Sequence, residues 1–259
     1  MIAQQLYATD AWKIFLSNPP EIEINSDLQI RVAEIAPGYS CIIIDDFLRE
    51  PHALVEYAAR NADAFSTPER SYPGLLYNID NNAMKDIIRF IRSSMSKQFS
   101  FLRGGVETST FLSMATLQPE ELSNLQRLCH SDPRGQLDRR NYASLVYLFE
   151  NEELGGTGFY RWKEVSLIQQ ATALDLEDPQ RALAFLQEHF PTYNEPASYM
   201  NGSNEIAELL FDVPARFNRF VFYSGDVPHS AKISSPELLS GDFRSGRLTL
   251  NCFASVRPR

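Results

Sequence analysis

The stretch Cys129-His130-Ser131-Asp132-Pro133 sets an imidazole two residues before a carboxylate. In an extended chain, residues i and i+2 project to the same face, so His130 and Asp132 would offer a nitrogen and an oxygen donor to one point. That spacing fits a metal-binding pair. It fits equally a strand end whose two polar side chains bond each other. Of the other three histidines, His229 has the suggestive setting: in FVFYSGDVPHSAKI a β-rich run and a Gly225-Asp226 turn precede it, which would place its ring at the mouth of a barrel. His52 falls in the first turn of an expected surface helix and His189 on another helix, settings in which an isolated histidine is structural. Two imidazoles and one carboxylate on one side of an octahedron leave three positions open, the facial arrangement of non-haem Fe(II) oxygenases. Further along, RLTLNCF read as a strand puts Arg247, Thr249 and Asn251 on one face and Leu248, Leu250 and Cys252 on the other. A guanidinium beside a hydroxyl suits a carboxylate, which arginine can grip with two parallel hydrogen bonds. A surface ion pair is the plain alternative.

Such residues need a β scaffold, and the chain supplies one from about residue 106. VETSTFLSMATL, NYASLVYLF, TGFYRWKEV, RFNRFVFYS and RLTLNCFASV are short β-branched and aromatic runs divided by turn residues, the texture of a sandwich or barrel. Ahead of them, YSCIIIDDFL reads as a strand and EPHALVEYAARNADAF as a helix with Pro51 near its start and Leu54, Val55, Ala58 and Ala59 on one face. Met84, Ile87, Ile88, Ile91 and Met95 form the stripe of a second buttressing helix. Residues 166–212 interrupt the β texture. There Asp178 is an expected N-cap, Pro179 takes the first helical position, and Leu183, Leu186 and Phe190 follow at helical spacing, a candidate lid. No repeat or Gly/Ser/Pro-rich linker divides the chain. The expectation is one domain over 1–259, with 1–105 as strand and helix support and 106–259 as the core.

With 259 residues, 44% hydrophobic and 22% charged, the chain can bury a sizeable core. A net charge of -9 argues against gripping nucleic-acid phosphates or an anionic membrane through bulk charge. The longest apolar runs fall well short of the roughly 20 residues of a membrane span. MIAQQLYATDAWKIF lacks the features of a secretion signal, so a cytoplasmic location is expected. Cys41, Cys129 and Cys252 lie far apart with no CxxC, and are expected to be buried thiols.

Together these residues resemble the Fe(II)/2-oxoglutarate-dependent dioxygenase superfamily, particularly its prolyl-hydroxylase-like branch, and most closely an uncharacterised bacterial group within it. His130 and Asp132 stand as the HxD ligands, His229 as the distal ligand, and Arg247 with Thr249 as the pair that binds the far carboxylate of 2-oxoglutarate. YLFENEELGGTGFYR looks like the branch's YLN strand, acidic turn and Gly-Gly pair, with Tyr147 against the co-substrate. IDDFL with its helix is similar to the N-terminal support of these enzymes.

The resemblance implies a double-stranded β-helix, or jelly roll, with Fe(II), 2-oxoglutarate and O2 as the working set. It implies hydroxylation of an unactivated C–H bond of a small molecule or peptide, with release of succinate and CO2. Halogenating members lack the carboxylate ligand, so Asp132 favours hydroxylation or desaturation. Tyr160, Arg161 and Trp162 are candidates to line a substrate pocket, and Arg134, Arg139 and Arg140 could attract an acidic group. The chain departs from the superfamily in an unusually long gap between His229 and Arg247, which makes Arg244 a rival for the carboxylate. Two other readings stay open: a metal-free jelly-roll binding module, and a cupin-type metalloenzyme that does not use 2-oxoglutarate.

Overall fold

The computed structural model describes residues 19–68, 72–132 and 138–259. The amino-terminal segment weighed above as a secretion signal and Arg134 lie outside the described residues. The element order is β1 (Arg31–Ala36), β2 (Tyr39–Ile44), α1 (Pro51–Arg60), β3 (Gly74–Asn78) and α2 (Lys85–Phe90). A π-helical turn at Ile91–Met95 carries α2 into α3 (Ser96–Gln98). Then come β4 (Glu107–Ala115), β5 (Arg140–Tyr147), β6 (Thr157–Trp162), α4 (Val165–Glu177), α5 (Pro179–His189), β7 (Ala207–Val213), β8 (Phe220–Ser224), β9 (His229–Ala231) and β10 (Arg247–Val256). Among the described residues no helix is long and apolar enough to cross a membrane.

The strands form a seven-stranded sheet, β1-β2-β8-β5-β10-β4-β3, and a three-stranded sheet, β7-β6-β9. An isolated antiparallel bridge between His130 and His229 adds a fourth rung to the small sheet. Set aside β1, β2 and β3, and β8-β5-β10-β4 faces the order β7-β6-β9-His130. From β4 the chain visits large, small, large, small, small, large, small and large sheet in turn. This is the double-stranded β-helix, an eight-strand jelly roll. The amino-terminal strands extend the same large sheet on both edges.

The large sheet has two different faces. Ile42, Ile44, Val146, Phe222, Leu248, Leu250, Cys252 and Ala254 pack with Leu54, Ala58, Ile87, Ile91 and Met95 of the helices. Each aliphatic side chain fully buried there contributes about 1.5–3 kcal/mol. The alternate residues look into the space between the sheets: Leu145, Tyr147, Val221 and Tyr223 meet Phe159 and Val213.

The segment 166–212 differs from the expected lid in two ways. Its last residues belong to β7, a strand of the core, and its helices cover the outer face of the small sheet. Ile168, Ala171, Leu186 and Phe190 pack with Tyr160 and Ala207, and with the partly buried Trp162 and Leu209. A sheet with apolar residues on both faces needs a layer on each, which α4 and α5 supply. Asp178 caps α5 through its carboxylate, which accepts from the Gln180 and Arg181 amides.

Candidate metal centre

His130 and His229 are brought together by backbone. The His130 amide donates to the His229 carbonyl at 2.9 Å and the His229 amide returns the bond at 2.8 Å, setting the ring centroids 4.6 Å apart. Two residues on, the Asp132 amide donates to the Gly225 carbonyl at 2.8 Å. Gly225 is needed there for close approach: a Cβ at that position would lie 2.5 Å from Oδ2 of Asp132. One donor atom from each of His130, Asp132 and His229 falls within 4.8 Å of the others.

The donor atoms are unsatisfied. Nδ1 of His229 lies 2.8 Å from the Val227 carbonyl, which can only accept, so Nδ1 carries the hydrogen and Nε2 presents a lone pair. That Nε2 stands 3.8 Å from Oδ1 of Asp132, beyond hydrogen-bond reach. Oδ2 of Asp132 is buried with no partner at all. Burial pushes the Asp132 carboxyl above its ordinary range and the His229 ring down to about 4. His130 stands on the exposed side. The protein packed around its ring, then the neighbouring His229, lower its pKa against the pull of Asp132. Two neutral imidazoles and a carboxylate with an orphaned oxygen suit a divalent cation, which would supply the missing partner to all three.

A second polar cluster lies between the same two sheets. Arg247 is only 4% exposed. Its Nε donates to the carbonyls of Leu154 (3.0 Å) and Gly155 (3.2 Å), and its Nη2 to that of Gly156 (2.9 Å). Gly155 has φ +89°, and a Cβ there would lie 2.0 Å from the Lys232 carbonyl oxygen, so glycine is what lets this turn cradle the guanidinium. Among the described residues Arg247 has no carboxylate partner, and Nη1 makes no hydrogen bond. Thr249 pairs in register with Tyr147 and Ser113. The Tyr147 hydroxyl lies 2.7 Å from that of Thr157, and Asn251 donates to Ser113 (2.7 Å) and Thr249 (3.0 Å). Along β6, Phe159 pairs with His229, and Thr157 follows two residues away. Thr157 thus lies about 7 Å along β6 from the residue paired with His229.

Arg244, the rival anchor, points elsewhere. Its Nε and Nη2 meet the two Glu56 oxygens, each at 2.8 Å, on the exposed outside of the molecule. His52 stacks on Phe217 and His189 on Phe185, both outside the hollow. Cys41, Cys129 and Cys252 are all free and buried.

Residues 26–254 match DUF6445, a family of unknown function. The chain belongs to DUF6445. No curated protein matches it. Among solved structures, this DUF6445 chain is similar to EvdO2 from Micromonospora carbonacea var. aurantiaca at 12% identity and TM-score 0.46, over 89% of this chain and 94% of that one. It is similar to a prolyl-4-hydroxylase of Pseudomonas putida at 15% identity and TM-score 0.39, over 81% and 86% of the two chains. HygX from Streptomyces hygroscopicus, determined with nickel and 2-oxoglutarate bound, follows at 14% identity and TM-score 0.39, over 84% and 82%. The fold of the DUF6445 chain rests on its own strand order.

The residues expected at a substrate pocket lie apart from the hollow. The Tyr160 hydroxyl donates to the Met200 carbonyl at 2.8 Å inside the core under α4 and α5, and Trp162 packs against the same cluster. Both therefore face outward, because Phe159 takes the inward side of β6. Arg161 is exposed and paired with Glu208. Arg139 is spent on Ser255 and Glu107, and Arg140 opens β5 as an exposed residue. Sequence reasoning missed Val227 and Tyr223. Tyr223 sets its ring 4.8 Å from that of His229. The Gly-Asp turn before His229 was the one available signal, and it located Gly225 without showing its contact with Asp132.

Proposed function

We propose that this DUF6445 protein is an Fe(II)- and 2-oxoglutarate-dependent oxygenase acting on a small molecule or peptide. The observation that carries the reading is the placement, between the same two sheets, of a His-Asp-His donor triad with two members buried and one carboxylate oxygen orphaned, and of a buried arginine with no acid partner among the described residues. Fe(II) would be held by His130, Asp132 and His229, and with 2-oxoglutarate and O2 bound it supplies the oxidising power to hydroxylate an unactivated C–H bond, with succinate and CO2 released.

The protein's own residues bind and orient. Arg247 and Thr249 hold the distal carboxylate, the guanidinium fixed by three carbonyls so that its free N–H groups need no reorganisation when the anion arrives. Tyr147, tied to Thr157, walls the co-substrate. The Val227 carbonyl orients His229, and Tyr223 and Phe159, in edge-to-face contact, keep water from its side of the hollow.

Two other readings fare less well. A metal-free binding module would have the triad satisfied within itself, whereas Oδ2 of Asp132 has no partner. A cupin enzyme independent of 2-oxoglutarate has no use for a buried, acid-free Arg247 at the far end of the hollow. The test is a coupled assay: protein supplied with Fe(II), ascorbate and 2-oxoglutarate is expected to release succinate even without its substrate. Absence of succinate above the metal-only background, across a substrate panel, would contradict the proposal.

A further inference from the structure

The Arg247 end of the hollow is closed by residues from outside the eight-strand core. In register, Gly74 of β3, Ala115 of β4 and Arg247 of β10 stand in one rank across the large sheet. Gly74 lies so close to β4 that a Cβ would fall 2.0 Å from the Met114 carbonyl oxygen. Tyr72 sits in the turn before β3, its carbonyl accepting from the Gly74 amide at 2.9 Å. Its ring packs with Ala115, Tyr199 and Ile233. Tyr199 is already satisfied, donating to the Leu117 carbonyl at 2.7 Å. The Tyr72 hydroxyl is different: it is sealed from solvent and makes no hydrogen bond of good geometry, with Thr249 and Arg247 as the polar groups beside it. A buried hydroxyl left unpaired is costly, and here it stands beside a buried cation with a free N–H.

We propose that Tyr72 is a third donor to the carboxylate held at Arg247 and Thr249, so that the strand and turn preceding the core complete the co-substrate site. This rests on the reading of the hollow as a 2-oxoglutarate site. It explains why a phenol is buried without a partner: the partner arrives with the ligand, and the phenol rejects analogues that lack the distal carboxylate. Tyr147 and Tyr72 then have separate tasks, the first fixed on Thr157 and the second free to donate.

The test is calorimetric titration of Mn(II)-loaded protein with 2-oxoglutarate and with 2-oxobutyrate, which keeps the keto acid and lacks the distal carboxylate. Tyr72→Phe is expected to weaken 2-oxoglutarate about tenfold, the size of one hydrogen bond to a charged group, and to leave 2-oxobutyrate and Mn(II) affinities unchanged. The ligand-free Tm of the variant is expected to hold or rise, since the lost hydroxyl had no partner. Unchanged 2-oxoglutarate affinity, or a loss shared equally by 2-oxobutyrate, overturns the role of Tyr72 while leaving the co-substrate site standing. A fall in ligand-free Tm that accompanies the loss of affinity assigns the hydroxyl to the fold and also overturns it. Failure of the wild-type protein to bind 2-oxoglutarate removes the site and Tyr72's role together.

Discussion

Arg244 and Arg247 are three residues apart and sit in opposite surroundings. Arg244 lies outside, where Glu56 meets it with both oxygens. Arg247 lies inside, where among the described residues neutral carbonyls and the Phe149 ring meet it and no acid does. Water screens the first, so its acid contributes little to stability. A buried guanidinium without a counter-charge is expensive. Persistence of the second arrangement therefore points to a function that brings the anion. The two faces of β10 teach the same lesson: Leu248, Leu250, Cys252 and Ala254 find apolar partners within the fold, whereas among the described residues Arg247 finds no counter-charge.

That contrast can be broken from either side. The largest effect is expected at the triad, where Asp132→Ala or His130→Ala should abolish measurable Mn(II) binding and succinate release without unfolding the protein, as read by calorimetry and circular dichroism. On the helix-facing side, Leu250→Ala should cost about 2–5 kcal/mol in urea unfolding and leave co-substrate affinity per folded molecule unaltered. Arg247→Ala should weaken 2-oxoglutarate by roughly 100-fold, a typical consequence of removing one partner of a buried charge pair, while metal affinity is retained. Glu56→Gln should change neither Tm nor co-substrate affinity measurably, which would confirm that the outer arginine takes no part. Asp45 gives a pH-dependent control. Arg219, hydrogen-bonded to it, holds its carboxyl below the ordinary value. A depressed folded-state pKa stabilises above the unfolded value and is lost as pH falls through the folded one. Asp45→Asn should thus lower Tm slightly at neutral pH, with the deficit closing in strong acid.

The parity of strand residues from Arg247 to Cys252 was enough to sort that part of β10 into an apolar and a polar face and to set Arg247 apart from Arg244. The convergence of His130 and His229 was expected from the resemblance, but the backbone bridge that joins them was not legible. It is a single rung against a three-residue strand, too short for any period. β7 was hidden for a related reason: Ala-Glu-Leu-Leu-Phe-Asp-Val is half-buried along most of its length, and its composition blends into the helical segment before it. Tyr160 and Trp162 read as pocket residues on aromatic type alone. Their true direction follows from Phe159 taking the inner side and from the apolar cover that α4 and α5 provide. Tyr72 left no trace in the sequence, since a turn residue has no periodic neighbours, and only the rank of Gly74, Ala115 and Arg247 discloses its place.

The most direct test of the central claim is an anaerobic absorption titration of the wild-type protein with Fe(II) and then 2-oxoglutarate. A visible metal-to-ligand charge-transfer band should develop on addition of the co-substrate and should be missing in His130→Ala. Full Fe(II) loading with no such band in the wild type, or an equal band in the variant, would contradict it.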